Sequence, residues 1–333
     1  MHLPAFDYVR PDHLDHALAL LAEEGSRAAV LAGGTDLVIG MRQRLLEPRL
    51  VVGIGALPEL KTFEVTADGG LRIGAGCTLS DLAAQPVLRQ RFPSLAAAIR
   101  SVGSRHVRNA ATLGGNLALP TRCWYTNQGE EWRRARPPCF KTGGDVCFVI
   151  RSAKECFALN NVDSAPALMT LGARVTIARA GGSREVALTG FYCNDGLAPN
   201  VLAPGELITM VHVPPHQDRT VFIKLAARTG LDYGLATVAA AVSGSNRRIS
   251  SARLVVGSVV SWPAPLVQAS RIIEEGGLTA ATIEAAAEAA RADLGEVTNL
   301  YSSSGYKRRV VRALVRRALD DLRRQKGPAG EAA

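Results

Sequence analysis

Four of the six cysteines in this 333-residue chain fall inside the 36 residues Arg122–Phe157, RCWYTNQGEEWRRARPPCFKTGGDVCFVIRSAKECF. Their spacing is Cys123-x15-Cys139-x7-Cys147-x8-Cys156. Thiols crowded in this way pair as disulfides, ligate a metal, or remain free. In a reducing compartment a disulfide framework does not persist. Structural zinc modules favour C-x2-4-C knuckles; here at least seven residues separate any pair, and no histidine lies in the segment. Four soft thiolates with no other soft ligand suit a cubane iron–sulfur cluster, which takes one cysteine per exposed iron. The wide spacing matches no general ferredoxin signature, so pattern alone leaves cluster, zinc and free thiols open.

Composition marks the segment as a loop organised by what it binds. Pro137-Pro138 and Gly143-Gly144 punctuate it, and helical periodicity is weak. A loop of this length without a core of its own is normally functional or disordered, and a metal cluster would replace the missing core. Seven basic residues (Arg122, Arg133, Arg134, Arg136, Lys141, Arg151, Lys154) face four acidic ones (Glu130, Glu131, Asp145, Glu155). That excess would offset an anionic thiolate cluster and steer an acidic electron carrier; a solvated charged loop explains it equally well. The two remaining cysteines read as structural small residues, Cys77 at a buried strand end and Cys193 in a Phe-Tyr-Cys-Asn turn.

Two glycine-rich turns precede the segment. In VLAGGTDL, Val30–Leu37, an apolar strand runs into Gly33-Gly34, then Thr35 and Asp36. Paired glycines permit positive φ and present successive N–H groups to an anion. Thr35 adds a hydroxyl donor, and Asp36 can accept from a sugar hydroxyl or hold the turn. The pattern is neither GxGxxG nor a P-loop, and by itself a plain turn explains it. The second turn, RNAATLGGNL at Arg108–Leu117, sets Gly114-Gly115 between Thr112 and Asn116. Two such turns in separate subdomains would grip one diphosphate-bearing cofactor from both sides.

The elements that must position these residues fall into three regions: 1–55, 56–215 with the cysteine insertion 122–157, and 216–325, followed by a flexible tail, 326–333. Helical periodicity covers Asp12–Glu24, Leu79–Gln85, Ser94–Ser101, Thr282–Leu294 and Lys307–Leu322; apolar strands are Ala28–Leu31, Leu50–Ile54, Leu71–Gly74, Thr220–Ala226 and Ala252–Val260. Thr237–Val242 fits either type. Hydrophobic residues make up 47% and charged residues 21%, normal for a globular protein with a sizeable core. No apolar run is long enough to span a bilayer, and the N-terminus reads as strand and capped helix, not as a signal peptide; the expected location is the cytoplasm. Of the net charge of +9, the segment Lys307–Lys326 supplies +7. Its Val311, Leu314, Val315, Ala318 and Leu322 form one apolar helix face with arginines opposite, a solvated or partner-docking helix and not a nucleic-acid motif.

AGGTDL and RNAATLGGNL, in this order and separation, resemble the two FAD-binding signatures of the flavoprotein (medium) subunits of the molybdenum hydroxylase, or xanthine oxidase, family. The likeness extends to FDYVRPDHLDHALALL, IGAGCTLSDL, SAPALMTLGARV and FIKLAARTGLDYGLA. It implies an α+β fold: a two-part, vanillyl-alcohol-oxidase-like FAD domain and a smaller α/β C-terminal domain. FAD contacts would then fall on Ala32, Gly33, Gly34, Thr35 and Asp36, and on Thr112, Gly115 and Asn116. Asp163 matches a position reaching the ribityl or pyrophosphate region. Lys224 matches a basic residue near the isoalloxazine edge, where it would favour the reduced anionic flavin; its plain reading is a solvated strand lysine.

The insertion after GGNLALPTR is similar to that of the β subunits of 4-hydroxybenzoyl-CoA reductases, where four cysteines bind a [4Fe-4S] cluster. The resemblance implies a large molybdopterin subunit and a small [2Fe-2S] subunit as partners, in a dimer of heterotrimers, with no catalytic residue on this chain. Electrons would enter from a ferredoxin-like carrier and pass by way of [4Fe-4S] and FAD to [2Fe-2S] and molybdenum. Two rivals stand beside it: a subunit of a hydroxylating dehydrogenase passing electrons outward to NAD or another acceptor, and a zinc-stapled structural FAD-fold subunit.

Overall fold

Residues 2–298 and 300–325 are described by the computed structural model; the expected tail, 326–333, lies outside them. Three sheets organise these residues. The first is parallel, in the order β1 (Asp7–Val9), β3 (Leu50–Gly53), β2 (Ala28–Leu31), with both Asp7 and Ala28 registered on Leu50. All four residues of β3 are buried, as a central parallel strand requires. The helix Leu14–Glu24 makes the crossover. His13 Nδ1 caps its start by accepting from the His16 amide, and Gly25, at φ 55°, ends it. Its Ala17, Leu18 and Leu21 share a core with Val52 and with Ala178 and Leu207 of the next unit.

The second sheet is antiparallel, in the order β4 (Phe63–Val65), β5 (Leu71–Gly74), β8 (Leu207–Val213), β6 (Arg174–Arg179), β7 (Gly182–Ala187). Between β5 and β6 the chain forms helices that include Leu79–Ala84, Pro93–Ser101, Arg105–Ala110, Leu113–Leu117 and Ser164–Thr170. Ile73, Leu95, Ile99, Leu168 and Val211, all buried, join helices and sheet in one core. The cysteine segment is inserted between the helices Leu113–Leu117 and Ser164–Thr170.

The third sheet is an antiparallel meander, β9 (Arg219–Ala226), β10 (Gly234–Gly244), β11 (Ile249–Gly257), β12 (Ala264–Pro265). The ambiguous stretch Thr237–Val242 is part of β10. It shows no polar alternation because both its faces are covered: Val238, Ala240 and Val242 pack on the C-terminal helices, while Ala239 meets Ala98 and Ala167 of the middle unit. The C-terminal helices are Val267–Gly276, Ala280–Asp293 and Ser304–Arg324. The last starts at Ser304 because Ser303 Oγ caps it, accepting from the Tyr306 amide. Val311, Leu314, Val315, Ala318 and Leu322 are buried as the spacing predicts, and Arg312 pairs with Glu284 and Glu288. Lys307 breaks the pattern: it sits on the buried side, 1% exposed. No described helix is long and apolar enough to cross a membrane.

Candidate functional site

The two glycine turns are built differently and meet. In the first, β2 ends at Leu31, Gly34 takes φ 70°, and Asp36 opens the helix Leu37–Arg42. In the second, Thr112 caps the helix Leu113–Leu117, its Oγ1 accepting from Gly115 N at 3.2 Å. A methyl group on Gly33 would lie 1.8 Å from the Ala110 carbonyl oxygen, so only glycine allows this backbone approach. Ala32, Thr35 and Asp36 are half-buried, and Thr112 and Asn116 are buried.

Asn116 links this region to the helix after the cysteine segment, accepting from Ser164 Oγ at 2.6 Å. Beside Ser164, Asp163 is buried and accepts from Lys224 Nζ at 2.6 Å; Lys224 also donates to Ser101 O at 3.0 Å. Lys224 is thus a largely covered, paired lysine, its side chain 10% exposed, and not a solvated one. Burial raises the Asp163 carboxyl to about 6, against the pull of the lysine. Asp163 Oδ1, both polar side-chain atoms of Asn161 and Asn160 Nδ2 are buried without hydrogen-bond partners among the described residues. Buried polar atoms are nearly always bonded, so this strip has the character of a surface that meets a polar ligand. Neither asparagine is a sequence-derived candidate. The pair Asn160-Asn161 ahead of an apolar helix was the available signal.

The cysteine segment closes on itself where Arg122 and Leu159 exchange two backbone hydrogen bonds, 2.7 and 2.8 Å. Within it Cys123, Cys139, Cys147 and Cys156 line one pocket, walled also by Tyr125, Phe140 and Lys141. Contrary to the expectation of a coreless loop, three of the thiols belong to a small apolar cluster with Val149, Leu159 and Leu300. Cys139 N donates to Thr142 Oγ1 at 2.8 Å in a tight turn, and Gly144 packs on the Pro138 carbonyl, where a methyl would stand at 1.9 Å. Burial pushes the Cys123 thiol up and the Cys156 thiol up to about 11. Lys141, its ammonium donating to Thr121 O at 2.9 Å, is lowered by burial, with Cys156, Cys123 and Cys139 near enough to oppose the shift.

Among the described residues, no group of three or more His, Cys, Asp or Glu side chains converges on a position for one metal ion. Zinc requires four ligands within about 2.3 Å of one point; a cubane distributes its thiolates over separate irons and accepts a wider spread. Cys77 lies elsewhere, its Sγ donating to Thr62 O at 3.3 Å, and Cys193 is also outside the pocket.

Arg122 joins the two halves of the site. Its guanidinium pairs with Asp36 of the first glycine turn and lies over the Tyr233 ring, 5.1 Å from the centroid. A second strap is Arg133, which donates to Gln43 O at 2.7 Å and Arg44 O at 2.8 Å. In the sequence both arginines are only loop charge, because nothing local signals partners more than 80 residues away.

Two family matches cover nearly all of this architecture. The FAD binding domain in molybdopterin dehydrogenase matches residues 4–216, and the CO dehydrogenase flavoprotein C-terminal domain matches residues 222–322. The chain is 33% identical over 284 residues to the aldehyde oxidoreductase FAD-binding subunit PaoB of Escherichia coli K12, covering 82% of this chain and 87% of that one. It is 28% identical over 320 residues to the nicotine 6-hydroxylase medium subunit of Paenarthrobacter nicotinovorans, covering 96% and 98%. Carbon monoxide dehydrogenase from Hydrogenophaga pseudoflava has the same fold, with a TM-score of 0.80 over 96% of this chain and 98% of that chain at 24% identity. The chain therefore belongs to the FAD-binding medium subunits of the molybdenum hydroxylase family, flavoprotein components of oxidoreductases.

Proposed function

We propose that this chain is the FAD- and [4Fe-4S]-containing electron-transfer subunit of a multisubunit molybdenum enzyme of the 4-hydroxybenzoyl-CoA reductase type. The observation that carries the reading is the set of four cysteines lining one pocket, in a loop strapped to the first glycine turn. Cys123, Cys139, Cys147 and Cys156 would hold the cluster. Ala32–Asp36, Thr112, Gly115, Asn116, Asp163 and Lys224 would hold FAD, with the unpartnered atoms of Asn161 as additional contacts. A bound flavin exchanges one or two electrons and an iron–sulfur cluster one, so the pair links single-electron carriers to two-electron chemistry. The residues bind, orient and set charge: Lys141 stands beside the thiols to offset thiolate charge, and Lys224 is held against Asp163. On this reading the partners are a large molybdopterin subunit and a small [2Fe-2S] subunit, in a cytoplasmic dimer of heterotrimers. A ferredoxin-like carrier donates to it.

Metal analysis of the anaerobically purified complex tests this. Iron with acid-labile sulfide in equal amount, beyond what the small subunit's clusters require, is the expected result; zinc without added sulfide at the four cysteines ends the reading and leaves the structural-staple alternative. A second reading draws support from the relatives, a nicotine hydroxylase and an aldehyde oxidoreductase subunit: electrons flow outward to NAD or another acceptor. Potentiometric titration separates the two. A cluster far more reducing than the flavin fits inward flow, and a higher-potential cluster fits the outward one.

A further inference from the structure

We propose that Arg122 is a positioning residue that couples the four-thiol pocket to the first glycine turn, so that filling either site strengthens binding at the other. The inference rests on the proposed flavin and cluster sites and adds a relation between them.

Arg122 stands where three units meet. Its backbone is fixed by two hydrogen bonds to Leu159, and the next residue is Cys123. Cys123 begins a tight turn: its amide donates to Asn127 Oδ1 at 2.8 Å, and its carbonyl accepts from the amides of Thr126 and Asn127. Any change in how the Cys123 side chain is held is therefore carried to the arginine. The guanidinium is ion-paired with Asp36, the side chains being 14% and 24% exposed, and its face rests on Tyr233 between β9 and β10. A planar guanidinium can pair at its edge and stack on its face together, which an ammonium cannot.

The strap at the far end makes this more than a surface ion pair. Asp36 opens the helix Leu37–Arg42, and the carbonyls of Gln43 and Arg44, just past that helix, accept from Arg133 of the cysteine segment. Gln43 Nε2 also donates to Asn127 O at 3.4 Å. The helix that continues the glycine turn is thus held at both ends by the cysteine segment. Coupling between two binding sites is reciprocal, so an ordered thiol pocket fixes the turn and an occupied turn steadies the pocket.

The test measures flavin release from the intact complex by recovery of flavin fluorescence on dilution. It compares cluster-loaded complex with complex stripped of iron by ferricyanide and a chelator. Wild-type loaded complex should release flavin at least about fivefold more slowly than stripped complex, the low end of measured couplings between sites. In Arg122→Gln the two forms should release at one rate, and Arg122→Lys should recover part of the difference, an outcome a purely structural role would not give. If Arg122→Gln does not accumulate, Asp36→Asn breaks the same pair from the flavin side; each variant is read as the ratio of its own loaded and stripped forms, so a direct flavin contact of Asp36 cancels and the ratio should also be erased. Equal release from wild-type complex that contains iron and sulfide, or an undiminished ratio in Arg122→Gln or Asp36→Asn, overturns the coupling alone. Absence of iron and sulfide from this chain's cysteines overturns the functional reading and the coupling with it.

Discussion

Lys224 Nζ lies 2.6 Å from Asp163 Oδ2, an ion pair that ties β9 of the C-terminal unit to the residue preceding the helix Ser164–Thr170. The pair is satisfied on the protein side, where Lys224 also donates to Ser101 O. It is incomplete on the other, because Asp163 Oδ1 has no partner among the described residues. Taking such a pair out of water is costly, because desolvation of both charges opposes their attraction.

A lysine held in this way should bias a flavin bound beside it toward its anionic reduced form. Lys224→Met should therefore lower the two-electron midpoint potential of the flavin, by about 30–60 mV if the lost interaction is worth about 1.4–2.8 kcal/mol. Dye-equilibrated titration of the complex measures this. An unchanged potential with full flavin content would remove Lys224 from the vicinity of the ring.

Gly33→Ala should separate the two glycine turns. The added methyl would stand 1.8 Å from the Ala110 carbonyl oxygen, a backbone atom that cannot rotate away. Overpacking of this kind costs roughly 1–3 kcal/mol or more. Gly115→Ala meets only Thr112 Oγ1, at 3.0 Å. The expected order of flavin-to-protein ratio and of melting temperature is wild type, then Gly115→Ala, then Gly33→Ala. Equal losses in the two variants would contradict this account of the contact.

Local pattern reveals the elements and hides the joints between them. The strands Ala28–Leu31 and Leu71–Gly74 have the ends their apolar runs predict, and the glycine turns are visible because positive φ and close approach call for glycine. β10 gives no period to read, since Val238 faces the C-terminal helices and Ala239 the middle unit, both fully buried. Four cysteines announce a site, yet the apolar cluster around them depends on Leu300, far along the chain. The Arg122–Asp36 and Arg133–Gln43 contacts are legible only after folding, because their sequence separations are 86 and 90.

The cysteine assignment makes a contrast that activity measurements are not needed to see. If the proposed cluster is present, serine at Cys123, Cys139, Cys147 or Cys156 should reduce the iron and sulfide of this subunit and abolish the cluster's EPR signal. Serine at Cys77 or Cys193 should leave both unchanged, since neither lines the pocket. A Cys139→Ser complex with undiminished iron and signal would show that the fourth ligand is another residue.

Lys307 offers a test read from stability alone. It is 1% exposed on the packed side of the last helix, and its ammonium has no hydrogen-bond partner among the described residues. Burial lowers it from 10.5 to about 8. Between these values the unfolded chain binds more protons than the folded one, so this group makes stability rise with pH from about 8 to about 10.5. Below pH 8 the full penalty applies, on the order of 3 kcal/mol at 1.36 kcal/mol per pKa unit. Lys307→Met should therefore stabilise the chain most at pH 7, and its advantage over wild type should shrink as pH rises past 8. Denaturant unfolding of both proteins at pH 7 and pH 10 measures the difference. A gain that does not change with pH would mean that the methionine acts by packing alone and that the lysine carries no charge penalty in the fold.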